Sequence, residues 1–150
     1  MPGESKVPGY VLKEAEGRSY RWGPGYLFTI KAMGNEMGDD IAFIEFATEK
    51  GKEPPTHTHK DEDEIFYVLN GELTFTCGDD SLDAGPRDFV FLPGNVPHSY
   101  TIKTDGLVQL LVVTVNREEG GRRFGRDIEE TGERVNKDTV LRHMEELRGR

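Results

Sequence analysis

Three of the four histidines in this chain, His57, His59 and His98, fall at the ends of runs that read as β-strands. His57 and His59 are two positions apart, so on an extended segment both imidazoles project to one face while Thr58 projects to the other. Pro54 and Pro55 stiffen the chain just before them and donate no backbone hydrogen bond, which suits the entrance to a strand. An acidic run, residues 61–64, follows. Glu64 shares a strand face with Phe66 and Val68, and Asp63 shares the other with Ile65 and Tyr67. Both faces are apolar, so periodicity alone leaves open which carboxylate points inward. Three neutral imidazoles and one carboxylate form a donor set for one divalent transition-metal ion per chain, with a net charge of about +1 and open positions on a six-coordinate ion. Imidazole suits iron, nickel, copper or zinc, and the carboxylate keeps manganese and cobalt in the set. Such an ion beside an apolar wall lowers the pKa of a bound enol or phenol and holds it as the anion, open to dioxygen.

The elements that must position these side chains are strands. Residues 26–32 alternate, with Tyr26, Phe28, Ile30 and Ala32 on one side and Leu27, Thr29 and Lys31 on the other. Residues 41–47 form a second apolar run, inside which Glu45 needs water or a partner. Residues 64–69 and 72–77 flank Asn70-Gly71, the strongest short-range hairpin signal. Residues 89–92, 99–103 and 107–115 add three more strands between turn-forming segments. Short strands at close spacing predict an all-β sandwich or barrel over residues 26–115. Residues 1–25 read as an N-terminal arm in which residues 7–12 supply an edge or swapped strand. Residues 116–134 are charged and glycine-rich and read as a surface connection, with Phe124 and Ile128 as apolar anchors. Residues 137–148 place Val140, Leu141, Met144 and Leu147 at helical spacing behind Asn136 or Asp138 as N-cap, predicting one short amphipathic C-terminal helix.

The spacing of the ligand candidates also resembles a known motif. Gly51, His57, His59, Glu64 and Gly71 stand at every defined position of the first cupin motif, and Pro93 and His98 keep the separation of the second. Within the second motif Asn95 and Arg87 stand where glycines are usual, Gly85 lies two residues before Arg87, and Ile102 replaces a common asparagine. Asparagine tolerates the left-handed backbone such a turn needs. The stretch from His57 to Phe75 is most similar to small single-domain cupins related to quercetin 2,3-dioxygenase, and the resemblance covers residues 22–115. It implies a single cupin domain, a double-stranded β-helix or jelly-roll barrel. It also implies His57, His59, Glu64 and His98 as metal ligands, and so selects Glu64 over Asp63. The activity it implies is a metal-dependent dioxygenase or other oxidoreductase on an aromatic, enol or flavonol-like substrate, in which Glu64 also takes the substrate hydroxyl proton. Redox-neutral isomerase, cyclase or lyase chemistry, and non-catalytic binding of a small molecule, are the alternatives within the same family. Small cupins commonly pair, so a homodimer is expected.

Phe66 lies in phase with Glu64, and Tyr100 and Ile102 lie in phase with His98, which makes them candidates for the substrate wall. Phe28, Phe75, Phe89 and Phe91 are further aromatic candidates whose faces the sequence leaves unassigned. Tyr100 is also a candidate donor to the substrate. Ile102 in place of asparagine favours a flat apolar substrate over a sugar. Asp61, Glu62 and Asp63 are assigned to solvent, as is the cluster of Arg122, Arg123 and Arg126 among acidic neighbours. Lys31 and Arg87 are cations that could meet an anionic substrate, with nothing in the sequence to place either at the site. His143 reads as exposed and Cys77 as structural.

Composition narrows the partners. A chain of 150 residues with a net charge of −9 disfavours phosphate backbones and anionic membrane surfaces, so neither nucleic acid nor membrane is expected as a partner. A single cysteine precludes an internal disulfide. With no apolar h-region at the start and no stretch of eighteen apolar residues, a cytoplasmic location is expected.

Overall fold

Among the described residues ten strands and two helices follow one another: β1 Arg18–Trp22, β2 Tyr26–Gly34, β3 Gly38–Thr48, β4 Glu62–Asn70, β5 Leu73–Cys77, β6 Asp80–Ala84, β7 Phe89–Leu92, β8 His98–Ile102, β9 Val108–Asn116, α1 Phe124–Thr131, β10 Glu133–Val135 and α2 Lys137–Arg148. This computed structural model describes residues 7–34 and 36–150. A seven-stranded sheet runs in the order β10-β1-β2-β3-β9-β4-β7, and a three-stranded sheet in the order β6-β5-β8. All pairings are antiparallel. The two sheets close on a shared core that includes Ile44, Val68, Leu73, Phe75, Ile102 and Leu110, giving the all-β barrel that the strand pattern predicts, in the jelly-roll form that the resemblance implies. None of the helices among the described residues is long and apolar enough to cross a membrane.

The alternation in β4 and β9 is strict: every second residue is buried, from Glu62 to Val68 and from Val108 to Asn116. In β2 it is not. Phe28 and Ile30 face the barrel core, but Leu27 is buried too, because α2 covers the opposite face with Val140, Met144 and Leu147. A register shift between Ile30 and Ala32 then turns the phase, so that Met33 rather than Ala32 is buried. Glu45 finds a partner in Lys31, with Nζ 3.7 Å from its carboxylate. Lys31 also donates to the carbonyls of Lys13 and Glu16, which commits it to the outer face.

Three expectations are corrected. Asn70-Gly71 does not join a hairpin: β4 pairs with β7 and β9, β5 pairs with β6 and β8, and the turn carries the chain from one sheet to the other. Only Gly71 takes a positive φ, of 96°, whereas the two-residue hairpin turn needs both residues there. Asn70 instead donates its side-chain N–H to the Leu107 carbonyl. Residues 116–134 are more than a connection, since they hold α1 and β10, and β10 adds a strand beside β1. Residues 7–12 form no strand; the N-terminal strand is β1, which lies inside the sheet between β10 and β2.

Candidate metal centre

β4 and β8 each contribute a ligand candidate from a different sheet, and the segment between β3 and β4 brings the other two. His57 forms an isolated antiparallel bridge with His98, N–H to O 3.0 Å in one direction and 2.9 Å in the other, which fixes their imidazoles side by side. His59 follows two residues later, as its spacing requires. The three ring centroids lie 5.0, 4.5 and 5.1 Å apart. One nitrogen from each of these histidines and one oxygen of Glu64 all fall within 4.8 Å of one another.

The opposite edge of each ring is held by the protein. His57 Nδ1 meets the Pro55 carbonyl at 2.8 Å, His98 Nδ1 meets the Val96 carbonyl at 3.3 Å, and His59 Nδ1 meets Glu62 Oε1 at 2.9 Å. Each partner is an acceptor, so each Nδ1 carries a proton and each Nε2 faces the centre. His98 Nε2 is buried without any hydrogen-bond partner, a costly state for a polar atom unless something else occupies its lone pair. His59 Nε2 stands 2.7 Å from Glu64 Oε1 and His98 Nε2 3.8 Å from the same oxygen. Burial opposes the Glu64 charge, but the His59 hydrogen bond and the three imidazoles outweigh it and hold the carboxyl below its ordinary pKa. Burial lowers the His98 pKa, keeping that imidazole neutral. Burial opposes a charge on His59, but its hydrogen bonds to Glu62 and Glu64 outweigh it and raise its pKa. A divalent cation at the centre would displace the proton shared with Glu64 and take the three convergent ring nitrogens and the carboxylate as ligands, and the donor set fits one.

The loop that carries His59 is locked by the second motif. Asn95, at φ 68°, donates to Asp61 Oδ1 and accepts from the Asp61 backbone N–H, while its own N–H donates to the His59 carbonyl. Asparagine thus does more in this turn than glycine, since its side chain ties the turn to the histidine loop. Arg87 also takes a positive φ, of 73°. At Gly94 the chain passes so close to Glu62 that a Cβ would lie 2.8 Å from its backbone nitrogen.

The four groups line one part of a cavity of about 320 Å³, within the usual size for a small-molecule site. Phe28, Phe66 and Tyr100 line it, together with Trp22, Tyr26, Phe46, Pro54 and Phe124. Phe28 and Phe46 stack at 4.6 Å between ring centres, and Phe124 meets Phe28 edge-on at 5.4 Å and His59 at 5.6 Å. Burial raises the Tyr100 phenol pKa far above its ordinary value, so it stays a protonated donor. Phe75 and Ile102 are buried but stand outside the lining, Phe75 as the packing neighbour of Phe66 and Tyr100. Phe91, also expected at the pocket, points to solvent with 48% of its surface exposed, because β7 directs Val90 and Leu92 inward. Phe89 is exposed for the same reason.

Two site residues were assigned to solvent from sequence and lie elsewhere. Glu62 is buried; beyond holding His59, its second oxygen accepts the Phe124 backbone N–H at 2.8 Å, tying the centre to the start of α1. It stands in phase with Glu64 at two residues' spacing, a signal masked by the acidic run around it. Arg122 lines the cavity rather than the outer surface. Phe124 and Ile128, four apart, carried the signal of the short helix that brings Phe124 into the wall.

A family description reading "Cupin domain" matches residues 44–114. Over these residues the chain matches the cupin family, and its barrel has the cupin fold. It resembles the quercetinase-like members: over 101 residues it is 32% identical to quercetin 2,3-dioxygenase of Bacillus subtilis, a match covering 66% of this chain and 29% of that protein. Among solved structures, KdgF from a Halomonas species superposes with a TM-score of 0.62 at 18% identity, covering 75% of this chain and 97% of that one. A predicted oxalate decarboxylase from Thermotoga maritima superposes with a TM-score of 0.63 at 20% identity, covering 71% and 99%. These structures share the fold.

Proposed function

We propose that the protein is a metal-dependent dioxygenase acting on a flat aromatic enol or flavonol-like substrate. The observation that carries this reading is the convergence of His57, His59, Glu64 and His98 on one part of a cavity whose remaining wall is mostly aromatic, completed by three prolines, Val112 and Arg122. A divalent transition ion held there supplies a Lewis acid and, where it is redox-active, a means of exchanging electrons with dioxygen. The chain's own groups do the rest. Stacked Phe28 and Phe46, with Phe66 and Phe124, favour a planar ring system and exclude water. Glu64 is the base that receives the proton of the substrate hydroxyl, its carboxylate being ionised and within the cavity lining. Tyr100, protonated, donates a hydrogen bond to a substrate oxygen and holds the ring in register.

The test is oxygen uptake with a flavonol by protein reconstituted separately with each of the six metals. The reading expects uptake coupled to loss of the flavonol, and Glu64→Gln should lower turnover by more than it lowers metal content. Substrate conversion at an unchanged rate under anaerobiosis would replace this reading with the redox-neutral one.

A further inference from the structure

We propose that Arg122 selects the substrate by binding a carboxylate or similar planar oxyanion carried on the aromatic ring system, away from the hydroxyl that meets Glu64 and the histidines. The inference rests on the aromatic-enol reading of the cavity and adds a charge requirement to it.

Among the described residues, Arg122 is the only arginine or lysine in the cavity lining. Its place there is fixed by the backbone: its N–H donates to the Lys60 carbonyl at 2.9 Å, and its carbonyl accepts from the Asn116 side-chain amide. Asp127 binds Nε at 3.0 Å, and the guanidinium carbon lies 5.4 Å from the centre of the Phe124 ring. Among the described residues Arg122 makes no other side-chain hydrogen bond or ion pair, so both terminal nitrogens keep their donors free. The two neighbouring arginines differ. Arg123 is committed to Asp40 and to the carbonyls of Asp39, Glu119 and Gly121, and Arg126 is committed to Asp39.

An arginine anchored at Nε presents its Nη1–Nη2 edge as a fork that matches a carboxylate with two parallel hydrogen bonds. Because the side chain is already ordered by Asp127 and Phe124, little rotamer freedom is lost on binding. Phe124 is the shared neighbour of Arg122 and His59, so a ring system lying along it reaches from the ligand cluster towards the guanidinium. The chain as a whole carries a net charge of −9, which repels an anionic substrate, and Arg122, although paired with Asp127 through Nε, puts the free donors of a guanidinium edge in the cavity to receive one.

The sole tryptophan, Trp22, lines the same cavity, so its fluorescence reports occupancy directly. The experiment titrates zinc-loaded protein, anaerobically and without turnover, with 3-hydroxyflavone bearing a 4′-carboxylate and with the methyl ester of that compound. The expected result is binding of the acid tighter than the ester by about tenfold or more at low salt, the ratio shrinking as salt is added. Arg122→Met should bring the ratio near one with little change for the ester, and Arg122→Lys should keep part of the preference. Equal binding of acid and ester by the unmutated protein, or an undiminished preference in Arg122→Met, overturns the assignment while leaving the aromatic-enol reading in place. Binding of neither compound overturns that reading and the assignment with it. Should Arg122→Met fail to fold, the acid-to-ester ratio of the unmutated protein and its salt dependence decide the question.

Discussion

At the residue scale, the decisive feature is that three imidazoles each have Nδ1 engaged by an acceptor, leaving Nε2 to the centre. Two of those acceptors are backbone carbonyls, and the third is the buried carboxylate of Glu62. A charged acceptor raises the basicity of the ring it holds, so Glu62 positions His59 and strengthens its donation. Glu62→Gln keeps an oxygen able to accept from Nδ1 but removes the charge. It should weaken metal binding by roughly 10- to 100-fold, read by competition with a chromophoric chelator. Unchanged affinity, with His59 still in place, would reduce Glu62 to a link between β4 and α1. The clustering of the four side chains was legible because the spacing from Gly51 to Gly71, with Pro93 and His98 beyond it, is so specific. Glu62 was not, since one of four successive acidic residues looks like a solvated face unless its strand phase is weighed against its neighbours.

At the element scale, packing decided what local signals could not. The C-terminal helix α2 was readable to its ends, with Asn136 as N-cap accepting from the Thr139 N–H at 2.9 Å. Its apolar stripe covers Ala15, Leu27, Ala47 and Leu107 in a second core on the outer face of the large sheet. Leu147, fully buried there, should cost about 2 to 5 kcal/mol when changed to alanine, measured by chemical denaturation. A loss below 1 kcal/mol, in order-of-magnitude terms, would mean that this core collapses around the gap. Asn70-Gly71 misled for a physical reason: an Asn-Gly pair lowers the cost of reversing the chain but does not choose the sheet that the next strand joins. That choice fell to β5's pairing with β6 and β8. α1 escaped detection because eight residues with only Phe124, Gly125 and Ile128 buried offer little more than one turn of periodicity.

At the scale of the whole molecule, the outer face of β4, β9 and β7 is the feature a single chain leaves unexplained. Ile65, Tyr67 and Leu69 on β4 stand beside Phe91 and Phe89 on β7, with Tyr67 opposite Phe89 and Ile65 opposite Phe91. Phe89 is 63% exposed, and contiguous exposed apolar surface of this kind marks an interaction site. We propose that a second copy of the chain covers it, because an apolar sheet face next to the edge strand β7 can meet its own two-fold image. Light scattering should give twice the chain mass of 16.9 kDa, and Phe89→Lys with Phe91→Lys should return it to the single-chain value. A monomer before mutation would contradict this. The barrel and its ligand cluster were legible in strand spacing and motif. The cavity wall was only half so, because Phe124 on α1 lies far along the chain from Trp22 and Tyr26 at the β1–β2 turn, and no local pattern brings it to them.

Everything functional here depends on four side chains acting as one coordination set. The most direct measurement is metal content and affinity of purified protein, stripped and then offered iron, manganese, cobalt, nickel, copper and zinc in turn, beside His98→Ala and His57→Ala with His59→Ala. One ion bound per chain, lost in the double variant and weakened in the single one, is the result this geometry requires. A protein that takes up none of the six, or that binds equally well without these histidines, would contradict it.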